Sequence, residues 1–204
     1  MSDLTVESIS QNYFDVLKEL GNIGAGNATT ALANLLGSKV DMKVPQVQTL
    51  EFKDVGNILG GEEKVMAGAY LGVEGDITGS ILFLVDVEVA EHLVKKMMGD
   101  YATGDFNEME QSAFKEISNI ITGAYLNALS SLTNLCILPS VPDLTIDMAG
   151  AILSVPAVEF GIYGDNILLI QTQFFDEIDI DGYFIMVPDI DSYEKILKSL
   201  GLPV

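Results

Sequence analysis

The sequence DVLKELGNIGAGNATTALANLL, residues 15–36, decides the fold, because a second version of it, SAFKEISNIITGAYLNALSSLT, occupies residues 112–133. Several residue types return at matching positions of the two segments: Lys18 with Lys115, Glu19 with Glu116, Asn22 with Asn119 and Gly26 with Gly123. Self-similarity at a fixed spacing indicates that one structural unit is repeated along a chain. We therefore predict a tandem duplication.

A second pair of segments supports the duplication. ITGSILFLVDVEVAEHLVKKMMG at residues 77–99 resembles IDGYFIMVPDIDSYEKILKSLG at residues 180–201. In both, an apolar run is followed by an aspartate and then by an amphipathic segment. A chain of 204 residues is long enough for one sizeable core but short for two domains. We predict one pseudo-symmetric domain over residues 1–204, with the repeats at about 10–100 and about 107–204.

The glycines of KELGNIGAGNATTAL, residues 18–32, raise the alternative of a phosphate-binding loop. A P-loop has lysine and then serine or threonine after its last glycine, whereas Gly26 is followed by asparagine and alanine. A dinucleotide-binding loop needs a third glycine three positions later, where this chain has Thr29. The second copy keeps only the last of the three glycines, as Gly123. The stretch is therefore predicted to be a helix.

Both copies of this helix are predicted to have one polar and one apolar face. At 3.6 residues per turn, positions 15, 19 and 22 fall within an arc of roughly 60°, and so do positions 112, 116 and 119. Each polar stripe holds a carboxylate and a carboxamide one turn apart. The apolar face is expected to pack on the core. Small residues are expected to let the two helices approach each other: Gly26, Ala28, Gly123 and Ala128.

The rest of the chain reads mainly as strands. Apolar and β-branched runs are typical of strands, and five segments contain them: residues 43–52, 64–75, 77–86, 144–175 and 182–189. Glycine-containing turns at residues 72–79 and 160–166 favour antiparallel pairing. Two shorter helices are predicted at residues 87–99 and 192–201. The predicted fold class is mixed α/β (α+β), with a largely antiparallel sheet and the two long motif-bearing helices packed on it.

The charge of the chain disfavours several partners. Ten basic and thirty acidic side chains give a formal charge of -20. Such a surface repels nucleic acid and anionic lipid. No apolar run approaches the roughly 20 residues of a membrane span, and no signal peptide opens the chain. We therefore expect a cytoplasmic protein without membrane insertion. The acidic segment EIDIDG at residues 177–182 is expected to be a solvated turn.

One cysteine and one histidine limit the chemistry further. Cys136 and His92 cannot form a Cys/His zinc site, which needs four ligands. Free cysteine is usually buried, so Cys136 is expected to be a core residue. His92 is expected on the amphipathic helix that follows the first sheet segments. Neither residue is predicted to act beyond packing.

The pattern Asp/Ser-x3-Glu-x2-Asn-x22-Pro occurs twice in this chain. The first instance consists of Asp15, Glu19, Asn22 and Pro45, and the second of Ser112, Glu116, Asn119 and Pro142. This pattern resembles the signature of the CheC/CheX/FliY family of chemotaxis phosphatases, and residues 18–32 are similar to the CheC version of the first helix. Two complete motifs resemble CheC more than CheX, which keeps one.

The resemblance implies hydrolysis of the aspartyl phosphate on the receiver domain of the response regulator CheY. Four residues would be catalytic: Glu19, Asn22, Glu116 and Asn119. Each asparagine would hold the attacking water, and each glutamate would pair with a lysine of the receiver. The receiver brings its own Mg²⁺, so the protein needs no cofactor or metal of its own. The resemblance also implies a second partner, the receptor-modifying deamidase CheD.

The sequence is also compatible with other interpretations of the same residues. A single Glu-x-x-Asn on a helix is usually solvated surface. Asp15 and Ser112 are most simply residues near helix N-termini, acting as caps or dipole partners. Pro45 and Pro142 are expected to shape the entry into strands. At the level of function, the alternatives are a non-catalytic adaptor that binds phosphorylated CheY and regulates CheD, and a nucleotide-binding domain.

Overall fold

The computed structural model describes residues 6–160, 166–175 and 179–201. Its helices are α1 (Val6–Leu36), α2 (Val55–Ile58), α3 (Val87–Met98), α4 (Glu108–Thr133), α5 (Ala149–Phe160) and α6 (Ile190–Ser199). Its strands are β1 (Asp41–Glu51), β2 (Val65–Gly75), β3 (Gly79–Asp86), β4 (Ile137–Pro139), β5 (Asp143–Met148), β6 (Asn166–Phe175) and β7 (Asp179–Pro188). Two 3-10 helices span Phe52–Asp54 and Gly99–Tyr101.

The strands form one seven-stranded sheet in the order β1-β6-β7-β3-β2-β4, with β5 also paired to β2. All pairings among the described residues are antiparallel. The predicted turn at residues 72–79 is confirmed as the β2–β3 connection. Gly75 there has a φ of 116°, and a Cβ on it would lie 2.4 Å from the carbonyl oxygen of Cys136. Only glycine avoids both the strain and the clash.

A hydrophobic core lies on each face of the sheet, because successive strand residues point to opposite sides. Phe83 of β3 belongs to the core on one face, together with Phe114 of α4 and further residues of α1, α3 and α6. Its neighbour Leu84 belongs to the core on the other face, together with Ile152 of α5 and residues of α2. The long helices therefore cover one face of the sheet, and α2 and α5 cover the other.

The long helices α1 and α4 pack against each other as well as against the sheet. Their contact includes a close approach at Gly24, where a Cβ would lie 2.3 Å from the Cδ1 atom of Tyr125. The predicted fold class, a mixed α/β domain with a largely antiparallel sheet and two long motif-bearing helices on it, is confirmed. The prediction that Gly26 and Gly123 serve this packing is wrong, because a Cβ on either would meet nothing within 4 Å.

The pairing of β3 with β7 is what a twofold relation between the repeats requires. Leu82 lies opposite Ile185, Gly79 opposite Pro188, and Val85 opposite Gly182. Leu82 and Ile185 occupy matching positions of the two segments aligned in the sequence. Equivalent residues meet in this way only where an antiparallel pair straddles a local twofold axis. The register supports the tandem duplication, although the repeat boundaries and the single-domain assignment stay predictions.

Two secondary-structure predictions are wrong. Residues 149–160 lie within the segment assigned to strands, but they form α5. The buried residues Ala149, Ile152 and Leu153 recur at helical spacing on its inner side. Residues 179–182, expected in a solvated turn, belong to β7 and pair with β6. The turn predicted at residues 160–166 falls largely outside the described residues. Among the described helices, none is long and apolar enough to cross a membrane.

Candidate functional site

α4 presents the second motif on its exposed side. Ser112, Glu116 and Asn119 are exposed, whereas Ile117 and Ile121 are fully buried. The helical period explains this division, since positions three or four apart share one face. Among the described residues, the side chains of Glu116 and Asn119 have no hydrogen-bonding partner. Both are therefore available to a molecule that docks on α4.

A groove of about 360 Å³ lies between α4 and residues 139–142. It is lined by Ser112, Lys115, Glu116, Asn119, Pro139, Ser140, Val141 and Pro142, and we call it the α4 groove. All four positions of the second motif thus meet in one place, although Pro142 is distant from the others in sequence. The groove is open to solvent, so a side chain or a small polar group of a larger partner can enter it.

The wall of the α4 groove opposite the helix is held by two hydrogen bonds between Ser140 and β2. The N–H of Ser140 donates to the carbonyl oxygen of Gly72 at 2.8 Å, and the N–H of Gly72 donates to Oγ of Ser140 at 2.9 Å. Just before this, Pro139 of β4 pairs with Val73 of β2. The loop that carries Pro142 is therefore fixed to the sheet, and the shape of the groove is built into the fold.

The turn before β4 is held by Asp76. The N–H of Cys136 donates to Oδ2 of Asp76 at 2.8 Å, and Nζ of Lys195 donates to the carbonyl oxygen of Asp76 at 2.6 Å. The hydrogen bond from Cys136, followed by the charge of Lys195, holds the pKa of Asp76 below its usual value.

The prediction that Cys136 is a buried core residue is wrong. Its thiol is exposed, while the adjacent Ile137 enters the core.

The first motif lies on α1. Asp15, Glu19 and Asn22 are exposed along this helix. Pro45 lies in β1, within a shift in the β1–β6 register between Lys43 and Gln46. Proline has no N–H to donate to a neighbouring strand, so it suits an irregularity of this kind. The side chains of residues 42–52 lie outside the described part of the structure. At the level of elements the two motifs are similarly placed, because α1 packs against β1 and α4 packs against β4 and β5.

The interpretation of Asp15 and Ser112 as N-terminal caps is wrong. α1 begins at Val6, so Asp15 lies well inside it. α4 begins at Glu108, and Oγ of Ser112 donates to the carbonyl oxygen of Glu108 at 2.8 Å. A hydroxyl that bonds back to the preceding turn is a common use of serine within helices. The residue that caps α4 is Asn107, whose Oδ1 accepts from the N–H of Glu110 at 3.2 Å.

Glu110 fixes the start of α4, and the sequence reasoning missed it. Only 1% of the residue is exposed. Its Oε1 accepts from the N–H groups of Thr103 at 2.6 Å and Gly104 at 2.7 Å, and its Oε2 accepts from Asn107 at 2.9 Å. The hydrogen bond from Gly104 is the main reason that the pKa of Glu110 is lowered, against the opposing effect of burial. The capping-box spacing of Asn107 and Glu110 is the signal that would have found it.

Lys115 and His92 each line a cavity next to α4. Lys115, which precedes Glu116 in the sequence, lines the α4 groove and is partly buried. His92 lies on α3, as predicted, at the edge of a separate cavity of about 310 Å³ between α3 and the start of α4. Among the described residues, no group of three or more His, Cys, Asp or Glu could hold a metal ion. The expectations of no metal and no cofactor stay expectations.

Two family models match separate parts of the chain. The model described as the CheC-like family matches residues 15–48, and the model described as the chemotaxis phosphatase CheX matches residues 67–157. The first match contains the whole first motif and the second match contains the whole second motif.

Similar proteins cover almost the full length. The chain is 38% identical over 200 residues to the CheY-P phosphatase CheC of Bacillus subtilis strain 168, a match over 95% of this chain and 96% of the relative. It is 24% identical to the putative CheY-P phosphatase CheC1 of Halobacterium salinarum, over 90% and 94% of the two chains. The fold matches the crystal structure of Thermotoga maritima FliY with a TM-score of 0.73, at 22% identity and 98% coverage of both chains.

Proposed function

The chain belongs to the CheC-type family of chemotaxis phosphatases, and on that premise we propose that it hydrolyses the aspartyl phosphate of the chemotaxis response regulator CheY. The observation that carries the proposal is the α4 groove, where Glu116 and Asn119 are exposed beside Pro142 with no partner among the described residues. A carboxylate and a carboxamide one turn apart on a fixed helix suit a substrate that arrives as a protein.

Asn119 and Asn22 are proposed to position the attacking water. An acyl phosphate is already activated, and phosphoryl transfer depends mainly on positioning and on charge stabilisation. A carboxamide has a donor and an acceptor, so it can hold one water in line with the phosphorus atom. Pre-arranged geometry of this kind supplies several kcal/mol of barrier lowering. The exposed amides on α4 and α1 support this role.

Glu116 and Glu19 are proposed to pair with a lysine of the receiver. A charge-assisted hydrogen bond between them would set the register in which the receiver docks. The glutamate and asparagine of each motif are three positions apart, so a receiver lysine and phosphoryl group that lie side by side can be met at once. The Mg²⁺ belongs to the receiver substrate, and no cofactor of the protein itself enters the proposal.

CheD is proposed as the second partner, on the family resemblance alone. The adaptor alternative assigns the whole function to binding, either of phosphorylated CheY or of CheD. We also propose that the reaction takes place in the cytoplasm. A chain with one cysteine can form no intrachain disulfide, and proteins without disulfides suit a reducing compartment.

Turnover separates the phosphatase from the adaptor. The concentration of the protein is set to one twentieth of that of the phosphorylated receiver. An enzyme then releases many phosphates per molecule, whereas an adaptor does not change the rate at which the receiver dephosphorylates itself. We expect multiple turnover by the wild-type chain, and partial activity in Asn22→Ala and in Asn119→Ala because each leaves one motif intact. Release at the receiver's own rate would overturn the proposal and leave the adaptor.

A further inference from the structure

Lys115 has an unusual position for a lysine of this chain. It is partly buried in the α4 groove, together with Glu116 and Asn119. On a helix, residues three or four positions apart are neighbours, so Lys115 is flanked by Ser112 and Asn119. Within the described part of the chain, the ammonium group of Lys115 has no ion pair and no hydrogen bond.

Four other lysines in the described part of the chain are paired with carboxylates. Nζ of Lys64 lies 2.6 Å from Oδ1 of Asp86, and Nζ of Lys198 lies 2.9 Å from Oε2 of Glu194. In a chain with ten basic and thirty acidic side chains, carboxylates are plentiful. A lysine that lines a groove without such a pair is available to an anion supplied by a docking molecule.

The first motif carries the same arrangement. Lys18 precedes Glu19 as Lys115 precedes Glu116, so Lys-Glu-x-x-Asn is common to both helices. In each motif the lysine and the glutamate are consecutive, so they lie about 100° apart around the helix, with the asparagine between them. A partner that presents an anion and a cation close together can pair with both residues. A receiver whose phosphoryl group lies next to a lysine is such a partner.

We propose that Lys115 contacts the phosphoryl group of the docked receiver and is the residue by which the α4 groove distinguishes the phosphorylated from the unphosphorylated partner. This inference rests on the proposed function. Glu116 meets the receiver lysine in both forms, whereas Lys115 gains a partner only when the phosphoryl group is present. A phosphoryl group adds up to about two negative charges and three acceptor oxygens, so the contact is charge-assisted.

The test measures affinity rather than hydrolysis. In a Glu19→Ala/Asn22→Ala background, which leaves only the α4 groove, the dissociation constant is measured by titration calorimetry for the unmodified receiver and for the receiver loaded with beryllofluoride, a phosphoryl mimic. With Lys115 intact, we expect the loaded form to bind at least about tenfold more tightly. Lys115→Gln should remove most of this preference and change the affinity for the unmodified receiver by less than about twofold. Lys115→Arg should keep the preference.

Lys198→Gln is the matched control, because it removes the same charge from an exposed lysine of α6 outside the groove. It should leave both affinities unchanged. Equal weakening of both receiver forms by Lys115→Gln, or an unaltered preference, overturns this inference alone. Loss of binding in the background variant also overturns it, because the α4 groove then binds no receiver. Failure of the wild-type chain to bind or hydrolyse the phosphorylated receiver overturns the proposed function as well.

Discussion

Glu116 and Asn119 lie on one exposed stripe of α4, but they have different tasks in the proposed mechanism. In the Glu19→Ala/Asn22→Ala background, Glu116→Gln keeps the shape of the side chain and removes the charge that pairs with the receiver. We expect KM to rise about tenfold with kcat within about twofold, because a docking contact acts equally on the ground state and the transition state. Asn119→Ala should instead lower kcat by at least about tenfold with a small change in KM.

Steady-state phosphate release over a range of receiver concentrations separates these effects. Ser131, an exposed residue near the end of α4, offers a control as Ser131→Ala, which should leave both constants unchanged. A loss of kcat in Glu116→Gln equal to that in Asn119→Ala would contradict the division of tasks.

Prediction from the sequence was strongest for the residues of the motif. The helical period alone placed Glu116 and Asn119 together on an exposed face, and the same holds for Glu19 and Asn22. The place of Lys115 in the groove was missed, because the second wall comes from residues 139–142, whose position depends on hydrogen bonds to β2. Cys136 was misplaced for a related reason. It follows the end of a helix, where an apolar neighbourhood in sequence does not fix burial.

At the scale of elements, the start of α4 is fixed by a carboxylate. Because the folded pKa of Glu110 is lowered from its usual 4.5, its contribution to stability is fully present above that pH and is lost as the pH falls through the folded value. We expect Glu110→Gln to lower the urea midpoint at pH 7 and to flatten the fall in stability below pH 4.5. The neighbouring exposed Glu108 provides the control Glu108→Gln. A variant with the same urea midpoint and the same pH dependence as wild type would contradict this role.

The contact between α1 and α4 depends on one glycine. A Cβ at Gly24 would lie 2.3 Å from the ring of Tyr125, which also contacts the ring of Phe184, tilted by 33° with 4.7 Å between the ring centroids. We expect Gly24→Ala to destabilise the fold by about 1–3 kcal/mol despite the higher helix propensity of alanine, since overpacking costs more than propensity gains. Gly26→Ala, with open space around it, should be neutral or stabilising by up to about 1 kcal/mol. Urea unfolding of the two variants measures the difference, and equal stabilities would contradict the packing.

α5 shows why one element was mispredicted. Its inner side carries Ile152 and Leu153, but its outer side also carries valines, with Val155 53% exposed and Val158 77% exposed. Apolar residues on all sides hide the helical period, and a short apolar run cannot be distinguished from a buried strand by periodicity. Pro156 inside the helix further weakens the helical signal.

The whole molecule follows from the repeat. Two similar helices lie side by side on one face of the sheet, and the equivalent strands β3 and β7 pair at its centre. The repeat, together with the helical and strand patterns, predicted two long helices packed on one largely antiparallel sheet, but it did not predict that β3 pairs with β7. The order of the strands was not predictable in the same way, since β6 lies between β1 and β7 through contacts between residues distant in sequence. The two motifs lie on separate helices, so the proposed function would give the molecule two sites, each with its own exposed glutamate and asparagine.

The central claim is that the two asparagines position the water that hydrolyses the receiver phosphate. The most direct measurement is single-turnover phosphate release at saturating protein for wild type and for Asn22→Ala/Asn119→Ala, with binding of the beryllofluoride-loaded receiver measured in parallel. We predict that the double variant binds the receiver within about threefold of wild type and releases phosphate no faster than the receiver alone. Release by the double variant at the wild-type rate, with binding intact, would contradict the account.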